Sequence, residues 1–226
     1  MFWISPRKRK YNPVFAKNTL EKIIKACQDN EVPETWVVGS QKAMTINGVD
    51  YLIDIIGKNH DTYATGGKAP LTFQMHDTYA DDKAMNSSDT TSGGWTSCAM
   101  RQTHLPAILA LMPAEVQAAI REVNKLTSAG RRSSTINTTA DKLFLLSEVE
   151  IFGSITESKT GEGTQYDYYK AGGDSTVKTQ NGSKNLWWER SPSASESDCF
   201  CIVDTGGYAN FTNASIAHGI AFGFCF

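Results

Sequence analysis

The spacing of apolar positions changes several times along this chain. Between Pro13 and Cys27, the residues Ala16, Leu20, Ile23, Ile24 and Cys27 recur at intervals of three and four. That period predicts an amphipathic helix with one apolar face, capped by Asn12 and with Pro13 in its first turn. Residues 29–34, which include Pro33, break the helix and mark a boundary between an N-terminal extension (1–35) and a main domain (36–226). Over residues 36–57 the pattern becomes strand-like: WVVG, then AMTI and VDYLIDIIG joined by Asn47-Gly48. Both central residues of a two-residue hairpin must tolerate positive φ, so Asn-Gly between apolar runs predicts a β-hairpin. The stretch up to Trp95 is polar and turn-rich, with one apolar patch at Leu71–Met75.

Residues 95–125 read as the main helical region. Thr96 or Ser97 caps a first helix, and Pro113 opens another with Val116, Ala119, Ile120 and Val123 on one side. Residues 127–139, with Gly130-Arg131-Arg132, read as a polar loop, and residues 141–146 as a short buried strand. Ser147-Glu148-Val149-Glu150 is a capping box opening a helix that ends near Gly153. Residues 154–184 form loop with Tyr166, Tyr168 and Tyr169, read as packing rings with their hydroxyls at the rim. A hairpin follows around Asp204-Thr205-Gly206-Gly207. The last strand places Ile220, Phe222, Phe224 and Phe226 on one face and Ala221, Gly223 and Cys225 on the other. The sum is an α+β protein, loop-rich, with short antiparallel sheets flanked by helices.

Composition changes this picture little. A chain of 226 residues with 40% hydrophobic residues can bury a sizeable core. Its net charge of −2 supplies no general attraction for nucleic acid, and residues 7–10, Arg-Lys-Arg-Lys, read as a solvated cluster. The first residues lack the apolar core of a signal peptide and no run is long enough to span a bilayer, so neither ordinary export nor membrane insertion is expected. Five cysteines without CxxC spacing indicate neither a disulfide framework nor a zinc site. His60-Asp61 and His76-Asp77 offer metal-ligand chemistry, but neighbours on a strand point to opposite faces and do not chelate together. Gly66-Gly67-Lys68 lacks phosphate-loop spacing. No metal and no cofactor are expected.

Residues 197–220 contain no Lys, Arg, Glu, Gln, Met or Trp. Their residue types are all reachable from an Asn codon by changing only its adenines. Tyr, Ser, Gly and Asn are also what binding loops favour, because Tyr gives rigid contact area and small polar residues give adaptable hydrogen bonds.

Five pieces of the chain then carry a family likeness: WVVG with MTINGVDYLIDIIGKNHD, APLTFQMHD, GGWTSCAMR, DKLFLLSEVEIFG, and WWERSP with FCIV and AFGFCF. With these the sequence resembles the variable proteins of phage and bacterial diversity-generating retroelements, major tropism determinant-like. The resemblance spans residues 36–226. It implies a C-type lectin-like fold, in its formylglycine-generating-enzyme-like variant, whose C-terminal region (about 186–226) is rewritten at template adenines. The implied ligand-contacting positions are Ser197, Asp198, Cys199, Cys201, Asp204, Tyr208, Asn210, Phe211, Thr212, Asn213, Ser215, Ile216 and His218. The implied frame is Trp187, Trp188, Arg190, Pro192, Phe200, Val203, Gly206, Ala209, Ala214, Gly219, Phe222 and Gly223.

The resemblance further implies a non-catalytic phage tail-tip or fibre adhesin that assembles in the host cytoplasm. Its partners would be a bacterial surface receptor, protein or glycan, and phage tail proteins or further copies of itself. A variable receptor displayed on a bacterial surface is one alternative. The other is a formylglycine-generating-enzyme-like oxidase, for which Cys199, Cys201 and Cys225 would be needed. The terminal region lacks a Glu-Pro-Asn type motif, so calcium-dependent sugar binding does not carry over.

Overall fold

A computed structural model describes residues 10–226, apart from the side chains of residues 173 and 174. Of the basic cluster at 7–10, three members lie outside the described residues, and Lys10 pairs with Asp29 and Glu31. The Asn-Gly signal holds. Asn47 and Gly48 adopt φ of 49° and 77°, and the turn joins β1 (Gln41–Ile46) to β2 (Val49–Lys58). The apolar patch Leu71–Met75 is β3, buried at every position. It pairs with β2 on one side and with β11 (Gly223–Cys225) on the other, giving an antiparallel sheet of order β1-β2-β3-β11. Both faces of the terminal run are buried, and Phe224 stacks on Phe73 at 5.4 Å.

A second sheet has the order β10-β9-β8, from β8 (Trp187–Pro192), β9 (Cys199–Val203) and β10 (Ala209–Asn213). Two hairpins complete the strands, β4 (Val123–Ser128) with β5 (Ile136–Asp141) and β6 (Lys178–Gln180) with β7 (Ser183–Asn185). The helices are short: α1 (Leu20–Gln28), α2 (Gly94–Ser97), α3 (Leu105–Leu109), α4 (Ala114–Ala119), α5 (Glu148–Phe152) and α6 (Asp167–Lys170), with a π turn at Met100–His104. The protein is thus mixed α and β, with several short antiparallel sheets and few helices. Among the described residues no helix is long and apolar enough to cross a membrane.

Several sequence expectations shift, and residues 141–146, read as a buried strand, carry past Asp141 only an isolated bridge from Phe144 to Gly223. The first helix begins at Leu20 with Thr19 as its cap, because the buried Asn18 amide donates to the carbonyls of Asn12, Val14 and Phe15 and holds that stretch in turns. WVVG is not a strand. There Trp36 is fully buried, its indole bonded to Asn12 O at 2.9 Å and packed edge-on to Phe15, so the N-terminal segment shares the core of the rest. Helix α2 is capped at Gly93, with Thr96 and Ser97 inside it. The helix after Pro113 ends at Ala119, and Val123 starts a strand whose hairpin occupies the predicted polar loop. That hairpin hid because Lys125 and Thr127 hold two of its inward positions, which masks the period of two. The capping box at Ser147 and Glu150 forms as read, and Gly153 closes α5 at φ 72°.

Lys125 and Thr127 can face inward because a chain of buried charges receives them. Arg190, fully buried in β8, grips Glu150 of α5 with both terminal nitrogens. Its remaining donors reach Thr127 Oγ1 (2.9 Å), Leu145 O (2.9 Å) and Glu162 O (2.8 Å). Glu150 also takes Lys125 Nζ at 2.8 Å, and Lys125 continues to Asp61 at 2.9 Å. Burial alone would raise the Glu150 carboxyl, but Arg190 and Lys125 hold it below the usual carboxylate range. Removing one partner of such a pair strands a charge in the interior. Arg190→Met is therefore expected to lower the unfolding free energy in urea by about 3–5 kcal/mol, and Arg190→Lys, which keeps the charge but loses the fork, by less.

Candidate ligand-binding surface

Strand β9 lies between β8 and β10, and its register fixes which side chains can meet. Ala209 faces Val203, Phe211 faces Cys201 and Asn213 faces Cys199, whereas Asn210 faces Ile202 and Thr212 faces Phe200. Side chains alternate along a strand, so these two groups lie on opposite sides of the sheet. The six expected ligand-contacting positions that lie on β9 and β10 therefore do not form one continuous patch there.

Ser197, Tyr208, Asn210, Ser215 and Ile216 are exposed, Tyr208 most of all at 72%. Asp198, Asp204, Phe211, Thr212, Asn213 and His218 are half-buried. Cys199 and Cys201 are buried, at 5% and 0%, which removes them from the surface set, because the central strand is covered on both faces. Burial pushes the Cys199 thiol up to about 12, helped by its bond to Asp198, and pushes Cys201 well above its usual value. Neither is a ready thiolate at neutral pH.

Three half-buried positions are already engaged within the protein. Asp204 Oδ1 accepts from Gly206 N (2.8 Å) and Tyr208 N (3.0 Å), closing the hairpin turn. The Asn213 amide donates to Asp89 at 2.9 Å. His218 exchanges backbone bonds with Lys83, and its ring packs 5.1 Å from that of Trp188.

Most of the implied frame lies in the interior, though Ala209 is half-buried. Trp187, Trp188, Arg190, Phe200, Val203, Ala214 and Phe222 are fully buried. The indoles of Trp187 and Trp188 donate to Thr176 O (3.0 Å) and Lys83 O (2.8 Å). Gly219 has no room for a Cβ, which would fall 2.6 Å from Thr78 Cγ2 and 2.8 Å from Leu186 O. Gly206, by contrast, is exposed. The turn instead requires Gly207, buried at φ 84° with a Cβ position 2.5 Å from Thr176 Oγ1.

Sequence reasoning missed the segment that supports this surface from below. Asp89 Oδ1 accepts from Ser215 N at 3.0 Å, and Thr91 donates twice to Ser197 O, from its amide (2.9 Å) and its hydroxyl (2.8 Å). Hydrogen bonds from Ser215 and Asn213 hold the Asp89 carboxyl below its usual value. Asp and Thr are the residues that bond locally to backbone amides, so the run SSDTTSGG carried a signal for loop support.

Beside Tyr208 lies a cavity of about 290 Å³ lined by Glu148, Phe152, Ser154, Thr156, Tyr208 and Ala209. Its acidic wall is immobilised. Glu148 accepts from the amides of Thr156 (2.7 Å), Glu157 (3.0 Å) and Ser158 (2.7 Å), which outweigh burial and keep it ionised. Behind it, Glu189 is fully buried with both carboxyl oxygens unpartnered. Burial and the charges of Glu148 and Glu162 push it well above the usual range, so it is neutral.

The two His-Asp dipeptides lead elsewhere. His60 stacks on Tyr166 at 3.9 Å, and His76 Nδ1 meets Asp54 at 2.8 Å. Tyr166 and Tyr169 turn their hydroxyls inward, to Asp61 and Gln74, rather than to a rim. Among the described residues no cluster of three His, Cys, Asp or Glu side chains could hold a metal ion.

The sequence profile of DUF6273, described as a domain of unknown function, matches residues 71–223, more than half of the chain. The chain belongs to this family. The DUF6273 match starts at β3 and ends in β11, so it takes in the whole second sheet and the buried charge chain from Lys125 to Arg190. No curated protein and no solved structure matches the chain.

Glu162 makes part of this DUF6273 interior sensitive to pH. It accepts from Ser128 N at 2.7 Å and from the Ser191 hydroxyl, and burial pushes its carboxyl up to about 7 from an ordinary 4.5. Between those values the folded state holds a proton that the unfolded state has lost. The contribution of Glu162 is thus complete below about pH 4.5 and is lost as the pH rises to about 7, a change of roughly 3 kcal/mol. Glu162→Gln, which keeps the shape and stays neutral, should lack this decline when unfolding free energies are measured across that range. Parallel curves for the two proteins would show that Glu162 is not the group responsible.

Proposed function

We propose that this chain is a non-catalytic ligand-binding protein whose C-terminal surface tolerates sequence change. It resembles the variable proteins of diversity-generating retroelements and, in this reading, has their C-type lectin-like fold. It would serve as a receptor-binding adhesin at a phage tail tip, its partner a protein or glycan on a bacterial surface. One observation carries the reading: within forty residues, exposed Ser197, Tyr208, Asn210, Ser215 and Ile216 alternate with fully buried Trp187, Trp188, Phe200, Val203, Ala214 and Phe222. Such a division lets the contact chemistry change without touching the packing, because exposed substitutions away from special features usually shift stability by less than about 0.5 kcal/mol. Weak contacts at each site gain strength if several copies engage together. The oxidase reading has less support, since Cys199, Cys201 and Cys225 are all buried with their thiols held protonated.

Two measurements test the proposal. Exchanging Ser197, Tyr208, Asn210, Ser215 and Ile216 together should leave the melting temperature nearly unchanged while altering which bacterial cells the protein adheres to. Phe200→Ala should instead cost about 3–5 kcal/mol of stability. In sister isolates, differences should concentrate at the exposed positions and at template adenines. Differences spread evenly along the chain, or unchanged adhesion after the fivefold exchange, would sink the proposal.

A further inference from the structure

The interior end of the charge chain holds a reactive geometry. Lys125 Nζ lies 2.9 Å from Asp61 Oδ1, 2.8 Å from Glu150 Oε1 and 3.0 Å from the Tyr166 hydroxyl, and 4.2 Å from the centre of the Phe144 ring. The side chains of Lys125, Asp61 and Glu150 are at most 4% exposed. On the carboxyl oxygen turned away from the amine, Asp61 Oδ2, two hydroxyls converge as donors: Thr72 at 2.6 Å and Tyr166 at 2.8 Å. An amine, a carboxyl group, a second carboxylate touching the amine and a pair of donors on the far oxygen are together the parts needed to condense an amide.

We propose that Lys125 and Asp61 join spontaneously in the folded protein through an isopeptide bond. Lys125 Nζ passes one proton to Asp61 Oδ1, which it already touches, leaving a neutral amine beside a neutral carboxyl group, and the amine's lone pair attacks Asp61 Cγ while Glu150 Oε1 takes a second proton from Nζ. The negative charge that develops on Oδ2 is met by the Thr72 and Tyr166 hydroxyls, as in an oxyanion hole. Two of the three Nζ protons thus reach Oδ1, the first directly and the second through Glu150, and Oδ1 leaves as water. One N–C bond forms, one C–O bond breaks, and the paired charges disappear together, with no oxidant or activated co-reactant. Arg190 holds Glu150 as the carboxylate this base role requires. Fixing the two groups in contact supplies an effective concentration far above any free in solution, of the order of 10⁵ M or more for well-oriented pairs. The water has a way out. A cavity of about 290 Å³ borders His60, Asp61, Lys125, Glu150, Gly161 and Gly163, and a Cβ at Gly163 would crowd Glu150 Oε1 to 2.9 Å. The bond would tie β4 to the segment after β2, 64 residues apart in sequence.

Intact mass spectrometry of the purified full chain under denaturing conditions tests this directly. The expected mass is one water below that of the sequence in nearly all molecules, and digestion should yield a branched peptide pair joined through Asp61 and Lys125. Lys125→Arg should restore the full mass. A dehydrated aspartate would also lose one water, but it gives linear peptides and persists in Lys125→Arg. Should that variant fail to fold, the peptide map of the unaltered protein decides alone. The full sequence mass in folded protein kept at neutral pH, or linear peptides only, overturns the proposal.

Discussion

The pairing of Arg190 with Glu150 is the constraint on which the other parts rest. A guanidinium and a carboxylate without solvent are costly to bury, and the cost is met only if every donor finds an acceptor. Here the donors that do not reach Glu150 end on Thr127, Leu126, Leu145 and Glu162, which belong to β4 or to the segments flanking α5. Strand β8 is therefore keyed to the scaffold in one register, and through it β9 and β10 are keyed as well. A purely apolar strand could slide or tilt at small expense. This one has too many specific acceptors to miss.

That constraint also explains which parts of the fold could be read from the sequence. The Asn47-Gly48 turn and the Ser147 capping box are local, since their signals and their consequences lie within a few residues. The apolar frame was legible for a similar reason: large rings in a short, small-residue stretch have only the interior to go to. Hairpin β4-β5 was illegible because its inward Lys125 is paid for by Asp61 and Glu150, one of them 64 residues away. No window of sequence contains that compensation.

The surface was legible in outline but not in detail. Composition marked residues 197–220 as unusual, yet it could not tell that Cys199 and Cys201 lie on a strand covered from both sides. Nor could it tell that Asp204 is spent on its own turn, or that Asp89 and Thr91 reach more than a hundred residues along the chain to support Ser197 and Ser215. The likeness to variable proteins drew a list of positions, and strand alternation and hydrogen bonding then divided it.

Strand β10 is the outer member of its sheet. The bonds Asp204 N to Tyr208 O and Ala214 N to Asp198 O bracket its ladder, so Asn210 and Thr212 face β9 with their backbone while Phe211 turns its amide outward. An outward amide on an edge strand is a template for another chain to pair with. Asn210 Oδ1 covers it, at 2.8 Å. Changing Asn210 thus does two things at once: it alters an exposed side chain, and it uncovers or keeps covered the edge along which copies could zip together and aggregate.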